Sequence, residues 1–166
     1  MVNKTVFLIG MMGSGKSTIG AELAACLDLP FLDLDLAIEK NEGRSITAIF
    51  EEFGEAHFRK LEQAFIENLS KQVQVVACGG GLPCFFNNME LLMAKGLVIY
   101  LDAKPELLYQ RIKEDRLRPI LQDAKAFALL KATREATYQK AHLTIDCSQS
   151  VKEIVGLILA ALATAN

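Results

Sequence analysis

Gly10-Met11-Met12-Gly13-Ser14-Gly15-Lys16-Ser17 constrains this 166-residue chain more than any other stretch. It matches G-x-x-x-x-G-K-[ST] in full, and its flanks give the motif its meaning: an apolar strand, Thr5–Ile9, enters it and a helix, Lys16–Leu27, leaves it. Glycines are needed because such a loop takes backbone conformations that a Cβ forbids, turning its N–H groups inward. Those donors and the N-terminus of the following helix hold phosphate oxygens. Lys16 is expected to reach the β- and γ-phosphates of ATP, and Ser17 to offer its hydroxyl to Mg²⁺. The phosphate site then spans Gly13, Ser14, Gly15, Lys16, Ser17 and Thr18. A glycine-rich turn with a surface lysine is the bland alternative, and the strand-loop-helix context stands against it.

Beyond the loop, short apolar runs alternate with longer helical stretches, the pattern of βαβ units around a parallel sheet. Strands are expected at Thr5–Ile9, Pro30–Leu34, Gln74–Ala77, Leu97–Leu101 and Leu143–Ile145. Runs such as Val98-Ile99-Tyr100-Leu101 imply burial on both faces. Helices are expected after Ser45 up to Gly54, over Glu55–Ser70, from Asn87 with Glu90 as a capping box, and from Pro105. Two more follow, about Ala124–Lys140 and Val151–Ala163. The fold class is α/β: a three-layer α/β/α sandwich with a five-stranded parallel sheet. No linker or repeat breaks the chain, so residues 1–166 read as a single domain.

Composition closes off other classes. With 51% hydrophobic and 23% charged residues, the chain is not a disordered segment. A net charge of −2 gives no basic field for nucleic acid or anionic membrane. The longest apolar run, Ile154–Ala163, is too short to cross a bilayer. Cys26, Cys78, Cys84 and Cys147 form no CxxC pair, which suggests neither a zinc site nor a disulfide scaffold. Nothing near Lys4 and Val6 reads as a signal peptide, so the expected location is the cytoplasm. No long apolar stripe is left over for an obligate interface, and the residues alone leave the oligomeric state open.

The phosphate acceptor is sought among residues that reach the same sheet edge. Phe31-Leu32-Asp33-Leu34-Asp35 ends a strand with carboxylates two residues apart, expected on one face. One carboxylate there can hold Mg²⁺ through water, and the other can take a proton from an attacking hydroxyl. Alternatively, one aspartate caps the next helix. Arg59, beside Phe58 and three residues before Glu62, suits a planar anion, or is half of a solvated pair. Gly79-Gly80-Gly81 permits close backbone approach to a ligand, or makes a sharp turn. The charged segment from Arg111 to Pro119 is either an arginine-bearing closure over ATP or a solvated loop. Arg134 and Tyr138, one helical turn apart, face the site or water. Asp102, at the end of a strand, is a second Mg²⁺ candidate, though a structural role leading into the Pro105 helix is preferred.

Taken in order along most of the chain, these motifs resemble the shikimate kinase family, in the nucleoside monophosphate kinase-like branch of P-loop enzymes. The series joins the phosphate loop to Asp33-Leu34-Asp35, Ile49-Phe50, Gly54-Glu55-Ala56-His57-Phe58-Arg59-Lys60-Leu61-Glu62, Gly79-Gly80-Gly81, Arg118-Pro119-Ile120-Leu121 and Arg134-Glu135-Ala136-Thr137-Tyr138. The resemblance implies the P-loop NTPase fold, with acceptor-binding helices over about 34–62 and a lid over about 112–124. It implies transfer of the ATP γ-phosphate to the 3-hydroxyl of shikimate, with Mg²⁺, on the route to chorismate and aromatic amino acids. By the family's pattern, Asp35 is the base and binds the substrate hydroxyls, with Lys16 and Arg118 as its catalytic companions. Arg59 and Arg134 clamp the carboxylate, Gly79, Gly80 and Gly81 border the ring, and Phe50 and Phe58 supply apolar walls. Asp33 joins Ser17 at the metal, Arg118 reaches the phosphates from the lid, and Arg111 lies over the adenine. Asp146-Cys147-Ser148-Gln149 lacks an arginine that some members place near the adenine. The rivals are a gluconate- or nucleotide-kinase-like enzyme on the same fold, and a non-catalytic nucleotide-binding regulator.

Overall fold

The sheet is built outward from β1 (Thr5–Ile9), whose five residues are all buried. This computed structural model describes residues 4–114 and 123–164. In it β1 lies between β3 (Val75–Ala77) and β4 (Gly96–Asp102), with β2 (Phe31–Asp33) and β5 (Leu143–Asp146) at the edges. The order is β2-β3-β1-β4-β5 and every pairing is parallel, in registers such as Leu8 opposite Ala77 and Ile99. Parallel neighbours need crossover connections, and the helices that make them cover the sheet. That is why Val75, Val76, Val98 and Ile99 have no exposed surface and form unbroken apolar runs. The expected α/β class, with a five-stranded parallel sheet, is what the chain adopts.

The helices are α1 (Lys16–Leu27), α2 (Leu34–Glu42), α3 (Ile46–Phe53), α4 (Glu55–Glu67), α5 (Asn88–Lys95), α6 (Pro105–Glu114), α7 (Ala124–Tyr138) and α8 (Val151–Thr164). Ile19 and Leu23 of α1, Leu92 of α5, Leu108 of α6, Phe127 of α7 and Ile158 of α8 are buried with the strands in one core. None of the described helices is long and apolar enough to cross a membrane.

Three local readings need correction. β2 stops at Asp33, not Leu34, because Asp33 Oδ1 accepts from the Leu36 amide at 3.2 Å and starts α2. Asp35 therefore stands in the first turn of a helix, and strand alternation does not place it. Asn87 precedes α5, but its side chain makes no cap: Oδ1 accepts from Gln63 Nε2, and Glu90 pairs with Lys140. Of the segment expected as a lid, about 112–124, Ile112 is buried in α6 and Lys113 is helical. Residues 115–122, including Arg118, Pro119, Ile120 and Leu121, lie outside the described residues.

Candidate active site

β1 delivers the chain to the phosphate loop, and α1 begins at Lys16 directly after Gly15. Gly13 and Gly15 hold φ of 79° and 84°, the left-handed region that a side chain resists. Lys16 Nζ donates to the carbonyls of Gly10 at 2.9 Å and Met11 at 2.8 Å, so the lysine is folded over its own loop. Ser17 Oγ donates to Asp33 Oδ2, while Oδ1 of the same carboxylate caps α2. Asp33 thus caps the helix with one oxygen and keeps the other against Ser17 at the phosphate loop. A hydroxyl and a carboxylate oxygen in contact at the mouth of a phosphate loop are hard donors that suit Mg²⁺. Arg111 Nη1 donates to the carbonyls of Gly13 at 3.4 Å and Cys147 at 3.0 Å, tying the loop to the turn after β5.

These residues enclose a cleft of about 220 Å³ lined by Gly13, Gly15, Lys16, Ser17, Thr18, Asp33, Asp35, Cys78, Gly80 and Arg111, among others. Asp33 and Asp35 share it, as expected, although one comes from a strand end and the other from a helix. Cys78 lines the cleft but is 2% exposed, and burial pushes its thiol well above the usual range. Asp102 is not part of this lining; it pairs with Lys131 at 2.9 Å and accepts from the Tyr100 hydroxyl at 2.8 Å.

The acceptor side adjoins the cleft at the glycine turn. A Cβ on Gly79 would stand 2.7 Å from Asp35 Oδ1 and 2.8 Å from Glu62 Oε1. A Cβ on Gly81 would stand 2.6 Å from Arg59 Nη2. Close approach of two carboxylates and a guanidinium is what requires glycine here. Arg59 is almost buried, with Nη1 on Glu62 at 2.7 Å and with Nε and Nη2 on one oxygen of Glu55 at 3.1 and 2.8 Å. Burial works against its charge, but Glu62 and Glu55 outweigh that and hold its pKa above the ordinary value. Phe85 lies 4.3 Å from the guanidinium carbon, closer than Phe58 at 5.4 Å or Phe50 at 5.9 Å. Phe58 packs on Phe50, ring centres 4.9 Å apart.

Across the turn, Arg134 is half-buried and faces the site side: Nη1 is 3.8 Å from Met11 Sδ. Among the described residues no carboxylate pairs with it. Tyr138, one turn on, is fully buried and donates to the Gly80 carbonyl at 2.6 Å, fastening α7 to the glycine turn. Of the two orientations open to Tyr138, this is the one toward the site; Phe85 and Glu55 were not among the candidates. A signal existed for Glu55, four residues before Arg59, but none for Phe85 or for the contact between Tyr138 and Gly80.

Glu62 carries the unusual electrostatics of the site. It has no exposed surface, and burial pushes its carboxyl up to about 7. Arg59 pulls it back down, and the nearby Asp35 charge adds to the rise. A carboxyl raised in this way stabilises the fold fully below its ordinary value of 4.5 and loses that contribution as pH rises through about 7. Stability should therefore decline across this window by about 3 kcal/mol from this group alone. In Glu62→Gln that part of the slope should vanish, measured by urea unfolding at pH 5 and pH 7.5. Identical slopes in both proteins would show that Glu62 does not titrate there.

A model of the shikimate kinase family matches residues 12–163. A shikimate kinase from Synechococcus sp. (strain JA-3-3Ab) is 48% identical over 146 residues, covering 85% of this chain and 77% of its own. The solved structure of a shikimate kinase from Acinetobacter baumannii in complex with shikimate is 36% identical and covers 98% of this chain and 94% of its own, with a TM-score of 0.92. A gluconokinase from Sinorhizobium meliloti 1021 is 19% identical, covering 99% of this chain and 94% of its own at a TM-score of 0.61, a likeness of fold alone.

Proposed function

The chain belongs to the shikimate kinase family, kinases that move a phosphate from ATP to a hydroxyl of shikimate, and we propose how its own residues divide that work. The observation that carries the proposal is the single cleft in which the phosphate loop, Ser17, Asp33 and Asp35 meet. Backbone donors from Gly13 to Thr18 and the N-terminus of α1 hold the ATP phosphates. Lys16 leaves its loop carbonyls for the β- and γ-phosphates, and Arg111 flanks the adenine side. Asp35 accepts the proton of the 3-hydroxyl as that oxygen attacks the γ-phosphorus, whose bond to the bridging β-phosphate oxygen breaks to release ADP. Arg59 and Arg134 hold the carboxylate, Gly79, Gly80 and Gly81 border the ring, and Phe50 and Phe58 wall its apolar side. Arg118 is assigned to the transferring phosphate by resemblance alone.

Ser17 and Asp33 are the residues that would hold Mg²⁺. When bound, the cation offsets charge on the β- and γ-phosphate oxygens. The four cysteines are free, which suits a reduced cytoplasm, and the same reading takes the protein as a monomer. ADP release in a coupled assay should require both shikimate and Mg²⁺. Faster turnover with gluconate or a nucleoside monophosphate would overturn the acceptor assignment.

A further inference from the structure

Arg59 has two carboxylate partners of opposite character. Glu62 has no exposed surface and holds Nη1 from within, whereas the Glu55 side chain is 54% exposed and covers the Nε–Nη2 edge from the solvent side. That edge is one on which a planar carboxylate binds in bidentate fashion. In the protein as it stands, one oxygen of Glu55 accepts both of those N–H groups. A guanidinium with only 9% of its side chain exposed is costly to leave half-paired, so a partner on this edge is required whether or not substrate is present.

Building on the reading of Arg59 as a carboxylate clamp, we infer that Glu55 is an intramolecular stand-in for the substrate's carboxylate, displaced from the Nε–Nη2 edge when shikimate binds. The exchange replaces one carboxylate by another on the same two donors, so Arg59 stays compensated in both states. Glu55 is suited to leave. It is the first residue of α4, where a carboxylate remains favourable beside the helix N-terminus after it lets go. Gly54 before it has φ of 80°, and a Cβ there would meet nothing within 4 Å. Glu62, buried and about two turns further along α4, does not exchange and keeps hold of Nη1. Glu55 thus sets the threshold for the anion: it keeps the clamp formed and makes every incoming carboxylate compete for it.

The test is calorimetric titration of shikimate into the wild type, Glu55→Gln and Arg59→Lys, with methyl shikimate as the uncharged probe. Glu55→Gln should bind shikimate about fivefold more tightly, the scale of a half-exposed ion pair, with the kinetic change in KM rather than kcat. Its affinity for methyl shikimate should stay within twofold of wild type, which a general loosening of α4 would not produce. An affinity for shikimate that is unchanged or weaker in Glu55→Gln, while Arg59→Lys still weakens it, overturns the stand-in and leaves the clamp. Unchanged affinity in Arg59→Lys overturns the clamp and the stand-in together.

Discussion

Asp35→Asn should lower kcat by at least ~100-fold with ATP affinity unchanged, the lower range for a positioned general base. Asparagine keeps the shape of the side chain in the first turn of α2 but cannot take a proton. The ATP side of the cleft is built from other atoms: the loop amides, Lys16, and the pair of Ser17 with Asp33. Loss should therefore fall on the chemical step, read by single-turnover phosphoryl transfer beside nucleotide titration. The variant also carries a second readout. The Asp35 charge contributes to the raised pKa of Glu62, so removing it should let Glu62 ionise at lower pH. Near-normal kcat in the folded variant would remove Asp35 from the mechanism.

What the residues disclosed and what they hid follow from the range of the interactions. The five strands were legible because a parallel sheet buried on both faces needs continuous apolar runs, and Val98-Ile99-Tyr100-Leu101 has no other use. The phosphate loop was legible because its glycines are demanded by backbone conformation, at Gly13 and Gly15. Phe31-Leu32-Asp33-Leu34-Asp35 misled in detail: it alternates like a strand, yet the Asp33 cap converts its last two residues to helix. The two carboxylates around Arg59 sit at helical spacings, four before and three after. Sequence spacing gives their neighbourhood but not their difference, since only the packed structure buries Glu62 and leaves Glu55 in water. Tyr138 reaches Gly80 across 58 residues, and no local pattern encodes such a contact.

That same contact makes Arg134 the cleaner arm of the carboxylate clamp to test. Tyr138 fixes α7 to the glycine turn, and Arg134 Nη1 would lie 3.6 Å from a Cβ on Gly80. Its charge is not committed to a carboxylate among the described residues, so it can be altered without orphaning a buried partner. Arg134→Lys keeps the charge but loses the planar fork, and should weaken shikimate binding by about 1–3 kcal/mol. The unfolding midpoint should stay close to wild type. Arg59→Lys should weaken binding on a similar scale, but it also strips Nη1 from the buried Glu62 and should cost on the order of 3 kcal/mol of stability. Calorimetry paired with urea unfolding separates the two outcomes. Unchanged shikimate affinity in Arg134→Lys would mean that α7 takes no part in holding the carboxylate, and that Arg59 holds it from one side only.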